Sequence, residues 1–155
     1  TTFTVVLPCI PEPAATGPSR DSAQSAGGHG ELIVLGEDHR QTRELMATRL
    51  RSLGYQVLAV ADGLAVMGCC RSQGPQVRLY VLDVDMPGLT GTECLKQIRD
   101  QDARTPVLII TGSGNPDVAP AGDSGTTVLR KPFTMLQFGQ RVTDMIRRDT
   151  SQMIS

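Results

Sequence analysis

From Glu31 onward the apolar positions alternate between two periods. ELIVLG (31–36) is a short apolar run ended by glycine, which predicts a buried strand. Thr42, Leu45, Met46, Leu50 and Leu53 then share one face at helical spacing, and Gly54 sits where such a helix would stop. YQVLAV (55–60) predicts a second strand, and Asp62 is placed to cap a helix over 63–72. RLYVLD (78–83) predicts a third strand. Thr90 and Glu93 have capping-box spacing and open a helix over 91–100, with Cys94, Leu95 and Ile98 inward. TPVLIIT (105–111) and TTVLR (126–130) predict strands four and five. A second capping box, Thr134 and Gln137, precedes Met135, Phe138, Val142, Met145 and Ile146 at helical spacing.

Strands alternate with helices, and the central strands are apolar throughout. That combination predicts an α/β fold with a parallel sheet covered on both faces. Upstream, residues 9–30 (CIPEPAATGPSRDSAQSAGGHG) are rich in Pro, Gly, Ala and Ser without periodicity, and read as a flexible linker. A strand-like piece, TTFTVVLP (1–8), precedes it. The first residue is Thr, so a fragment of a longer protein is expected.

Composition narrows the classes. The 155 residues suffice for one domain with a core. A formal net charge of −1 carries no electrostatic footprint for nucleic acid. No apolar run approaches the ~18 residues of a membrane span, and the first residues, polar or β-branched without a charged start, do not read as a signal peptide. Cys9, Cys69, Cys70 and Cys94 lack metal-site or redox-motif spacing, so reduced thiols in the cytoplasm are expected.

In parallel sheets the reactive edge lies beyond the carboxyl ends of the strands. There this sequence places Glu37 and Asp38 after strand one, Asp83 after strand three, Thr111 after strand four and Lys131 after strand five. Singly, each has an ordinary explanation. Glu37 or Asp38 could be a helix N-cap, Asp83 and Asp85 could cap the Met-Pro-Gly turn, and Lys131 could be a solvated lysine. Together, clustered carboxylates repel unless a cation lies among them, and hard oxygen ligands suit Mg²⁺. A hydroxyl and a lysine alongside could hold phosphoryl oxygens.

Two families set an aspartate nucleophile in such surroundings. Asp83-Val-Asp85 resembles the D-x-D of haloacid-dehalogenase-like phosphatases. Those enzymes put the nucleophile early and the further acids late, whereas here the acid pair comes 45 residues before Asp83. The better match is to the receiver domain of two-component response regulators. Residues 31–149 resemble it through Glu37-Asp38, the L-D-V-x-M-P-G segment around Asp83, Thr111-Gly112 and Lys131-Pro132-Phe133, in order and in register.

That resemblance implies a flavodoxin-like, doubly wound (βα)5 fold with strand order 2-1-3-4-5. It implies that Asp83 accepts a phosphoryl group from a phosphohistidine of a histidine kinase or histidine phosphotransfer domain. It assigns Mg²⁺ to Asp38, Asp83 and the backbone carbonyl of Asp85, with Glu37 helping directly or through water. Thr111 would bond the phosphoryl group, Lys131 would pair with its charge, and the Lys131–Pro132 peptide would be cis. TTFTVVLP resembles the end of the ATP-binding domain of sensor histidine kinases. The implied parent is a hybrid histidine kinase, with residues 150–155 a short tail behind its receiver.

Three positions depart from the family pattern. Val128 stands three residues before the lysine, where an aromatic switch residue is usual. Glycines together with Pro116 and Pro120 oppose helix between strands four and five, so a short or irregular fourth helix is expected. Asp85 stands where Met is common. Val128 and the weak fourth helix leave an alternative open, a pseudo-receiver that acts as an interaction or autoinhibitory module.

Overall fold

The computed structural model describes residues 28–112 and 123–154. Five strands form one parallel sheet: β1 Leu32–Gly36, β2 Gln56–Val60, β3 Val77–Asp83, β4 Val107–Thr111 and β5 Thr126–Arg130. Their order across the sheet is β2-β1-β3-β4-β5, the expected 2-1-3-4-5. Four α-helices are described: α1 Arg40–Ser52, α2 Gly63–Gln73, α3 Gly91–Gln101 and α4 Met135–Ile154. The expected irregular helix between strands four and five falls mostly on 113–122, outside the described residues. So do the strand-like piece 1–8 and nearly all of the linker.

Side-chain alternation divides the core into two layers. Ile33, Leu35, Leu79, Val81, Leu108 and Ile110 point to one face, where they meet Met46 and Leu50 of α1 and Phe138 and Val142 of α4. Val34, Tyr80, Leu82, Val107 and Ile109 point to the other, against Val66 and Met67 of α2 and Leu95 and Ile98 of α3. Burial on both faces explains the apolar runs 79–82 in β3 and 107–110 in β4. β2 and β5 lie at the edges and are only partly covered.

The predicted caps form. Asp62 accepts from Ala65 N–H at 2.7 Å and starts α2. Thr90 and Glu93 bond reciprocally at the start of α3, and Thr134 and Gln137 do so before α4. α1 ends at Leu53, and Gly54 turns the chain at φ +97°. One helical face needs correction. Leu45 is 55% exposed, and Ala47 is buried in α1 beside Met46 and Leu50. The inward stripe of α1 runs through Met46, Ala47 and Leu50, and Leu45 lies outside it. Cys70 and Cys94 are buried free thiols and Cys69 is half-buried, which fits packing as small hydrophobes. Among the described residues, no helix is long and apolar enough to cross a membrane.

Candidate functional site

The same alternation builds the site. Glu37 continues the series Ile33–Leu35, Asp83 continues Leu79–Val81, and Lys131 continues Leu129; all three series face the α1/α4 layer. At the carboxyl edge of the sheet these three polar side chains therefore emerge on one side. Neighbouring strands fix their depth. Val84 N–H donates to Ile110 O at 2.9 Å, Lys131 N–H donates to Thr111 O at 2.9 Å, and Glu37 N–H donates to Val60 O at 3.1 Å. The Lys131–Pro132 peptide is cis.

Glu37 and Asp83 are 1% and 2% exposed, far from what free carboxylates tolerate. Asp38 is exposed. One oxygen from each of these three acids lies within 4.8 Å of the others. Asp83 Oδ2 accepts from Asp85 N–H at 3.0 Å, so the turn-capping role is real but uses one oxygen only. Asp83 Oδ1 lies 2.9 Å from Lys131 Nζ as an ion pair, off the line of a hydrogen bond. Glu37 Oε1 accepts from His39 N–H at 3.1 Å, while Glu37 Oε2 sits 3.9 Å from Lys131 Nζ and accepts no hydrogen bond. His39, not Glu37 or Asp38, is the N-cap of α1.

The electrostatics follow. Burial pushes the Glu37 carboxyl above its ordinary value, the nearby Asp83 charge adds to the rise, and the His39 N–H and Lys131 oppose it. Burial pulls the Lys131 ammonium down, but its close pairing with the Asp83 carboxylate, followed by the charges of Glu37 and Asp85, wins, and its pKa is raised. Three carboxylates face one ammonium. Two buried oxygens with no hydrogen bond, aimed into an acid-lined hollow, are the arrangement a small divalent cation completes. The donor set fits Mg²⁺: carboxylate oxygens, and solvent access through Asp38.

Thr111 is buried and belongs by alternation to the α2/α3 face, at the edge beside Lys131. Asp85 is exposed, and its carboxylate is not part of the acid trio. Tight approach brings α3 up to the site, since a Cβ at Gly91 would collide with the carbonyl oxygen of Asp83. Gly88 supplies φ +79° in the intervening turn. The sequence reading missed Arg43. Its Nη1 donates to Glu37 O at 2.8 Å and to Asp38 O at 3.1 Å, tying the acid loop to α1. The available signal was an arginine in the first turn of α1, five residues past Asp38.

Residues 33–143 match the model of the response regulator receiver domain. The chain is 31% identical over 122 residues to the transcriptional regulatory protein TctD of Salmonella typhimurium, covering 77% of this chain and 54% of that protein. It is 32% identical over 120 residues to the response regulator MprA of Mycolicibacterium vanbaalenii, covering 76% and 51%. The chain thus spans about half the length of the curated relatives it matches. The crystal structure of the receiver domain from hybrid histidine kinase CckA superposes with TM-score 0.62 at 32% identity, over 74% of this chain and 98% of that one. Matched over most of its length, with the acid trio gathered at the sheet edge where the strand order reverses, the chain belongs to the response regulator receiver domain family.

Proposed function

We propose that this domain takes a phosphoryl group from a phosphohistidine onto Asp83 and holds it as a signal. The observation that carries the reading is the buried Asp83 carboxylate, with one oxygen fixed by Asp85 N–H and the other facing Lys131 and the acid hollow. A carboxylate oxygen of Asp83 forms the new P–O bond as the P–N bond breaks, and the imidazole departs with the electron pair. The protein's share is positioning and charge neutralisation. Lys131 meets the incoming phosphoryl oxygens, and Thr111, at the next strand end, supplies a hydroxyl donor to them. Asp38, Asp83 and the Asp85 carbonyl would hold Mg²⁺, with Glu37 assisting. When bound, the cation offsets the charge of the carboxylates and of the phosphoryl oxygens.

The donor is a histidine kinase or histidine phosphotransfer domain, and the setting is the cytoplasm. We favour a hybrid histidine kinase as parent, with residues 31–149 its receiver. TTFTVVLP and the likeness to the CckA receiver support that context. The relatives named as transcriptional regulators support instead a receiver joined to an output domain. Mass spectrometry after incubation with acetyl phosphate and Mg²⁺ tests the chemistry. Wild type should gain one phosphoryl group at Asp83, and Asp83→Asn should gain none; a labelled Asp83→Asn protein would overturn the assignment. One feature favours the pseudo-receiver reading. Val128 is half-buried against the α2/α3 layer, and no aromatic ring is available there to rotate. An unlabelled wild type would establish that reading.

A further inference from the structure

Between α1 and α4 runs a groove of about 250 Å³, bordered by Arg49 and Leu53 on one side and by Leu136, Gly139, Gln140 and Arg147 on the other. It exists because Gly139 has no side chain: a Cβ there would press on Leu53 Cδ1 at 3.0 Å and on Arg49 Nε at 3.1 Å. Its upper rim is apolar, with Leu136 59% exposed. Leu45, which the hydrophobic pattern assigns to the core, is one helical turn from Arg49 and 55% exposed on the same flank of α1. Inside the groove Arg49 Nε is buried yet donates to no acceptor among the described residues. A buried guanidinium donor without a partner is costly and calls for an acceptor. Arg147 adds a second positive charge, and Asp144 on the same border offsets part of it.

The chain itself arrives at this groove. Gly28 N–H donates to Leu53 O, and Gly28 packs against the ring of Tyr55. The Tyr55 hydroxyl donates to Thr143 at 3.2 Å, beside the groove. Upstream of Gly28 the sequence offers one apolar–acid pair framed by prolines, Ile10-Pro11-Glu12-Pro13. We propose that this segment docks in the α1–α4 groove of its own chain, with Ile10 over Leu136 and Leu53 and Glu12 as the acceptor for Arg49. The reach suffices. Glu12 is sixteen residues from Gly28, and a chain of that length spans on the order of 20 Å. From Leu136 to Arg147 α4 rises only about 16 Å. Covalent attachment supplies a millimolar-range effective concentration, so a small contact is enough. The consequence is a receiver whose entry segment is clamped on the α1/α4 face, so that whatever precedes residue 10 is held at a fixed side of the domain.

Amide NMR of the full 155-residue chain tests this, with Ile10→Asp and Glu12→Lys as variants. Both positions precede Leu32, where the sheet begins in the sequence, and neither change alters a core residue. The expected result is chemical-shift change in both variants at Leu53, Leu136, Gly139 and Gln140, with the site residues unmoved. Arg49→Met should in turn shift the Ile10 and Glu12 amides. Groove amides that stay in place in both upstream variants overturn the proposal. So do groove shifts that disappear on dilution, which would assign the surface to a second copy of the chain.

Discussion

Glu37 is the residue at which stability and chemistry pull apart. Its carboxyl is buried beside Asp83, and burial followed by that neighbouring charge raises its pKa. A raised folded-state value means that the protonated form favours the fold. That contribution is complete below the unfolded value near 4.5 and is lost as pH rises through the folded value. Glu37→Gln retains the neutral form at every pH. The metal-free variant should therefore be the more stable at neutral pH, by on the order of 1 kcal/mol, with the gap closing toward about pH 4. Urea unfolding with chelator present measures this, and parallel pH profiles for the two proteins would contradict it. Added Mg²⁺ should stabilise wild type more than the variant. Asp85 poses the opposite question. It is exposed, places a further negative charge near Lys131, and lends Asp83 its N–H. The expected outcome for Asp85→Met is a longer phospho-Asp83 lifetime through removal of like charge, read from the decay of the labelled species; equal decay would refute the role.

At the scale of elements, the caps and one ion pair make separable predictions. Thr90→Ala removes the reciprocal capping box of α3 and should cost about 1 kcal/mol in urea unfolding while leaving phosphoryl uptake intact. Arg99 is a different case. Its Nε pairs with Asp123 at 2.7 Å, both side chains being largely buried, and its Nη atoms reach Thr105 O at 2.7 Å and Thr126 Oγ1 at 3.1 Å. Burial works to raise the Asp123 pKa, but Arg99, Thr126 and the Gly125 N–H outweigh it and lower it. That stabilisation is present above the unfolded value of 3.8 and lost as pH falls through the lower folded value. Arg99→Met should cost about 3 kcal/mol at neutral pH and flatten the acid limb of the stability profile, as measured by thermal melts. A variant with an unchanged acid limb would contradict this.

The elements also show where sequence reading stops. Strands, caps and the strand-end acids were legible because each rests on local spacing: period two, period 3.6, or three residues from cap to partner. Leu45 was misplaced because a helical face about 100° wide leaves its flanking position to be settled by the neighbouring helix. Arg43 and Arg99 were invisible as structural residues because their partners are backbone carbonyls or a distant carboxylate, and no residue type in the sequence marks those. Glu37 and Asp38 could not be told from caps until His39 was seen to occupy that position.

At the scale of the molecule, one geometric fact joins fold to function. A parallel sheet buried on both faces brings all five carboxyl ends to one edge. Strand alternation then sends Glu37, Asp83 and Lys131 out on the same side of it. The site is thus a property of the whole sheet and forms only when β1, β3 and β5 are all in place. The most direct test is to add beryllofluoride, a phosphoryl mimic, with Mg²⁺ and follow the amide NMR spectra of wild type and Asp83→Asn. The account predicts Mg²⁺-dependent shifts in wild type alone, centred on Asp83, Thr111 and Lys131. Shifts of equal size in Asp83→Asn, or none in wild type, would contradict it.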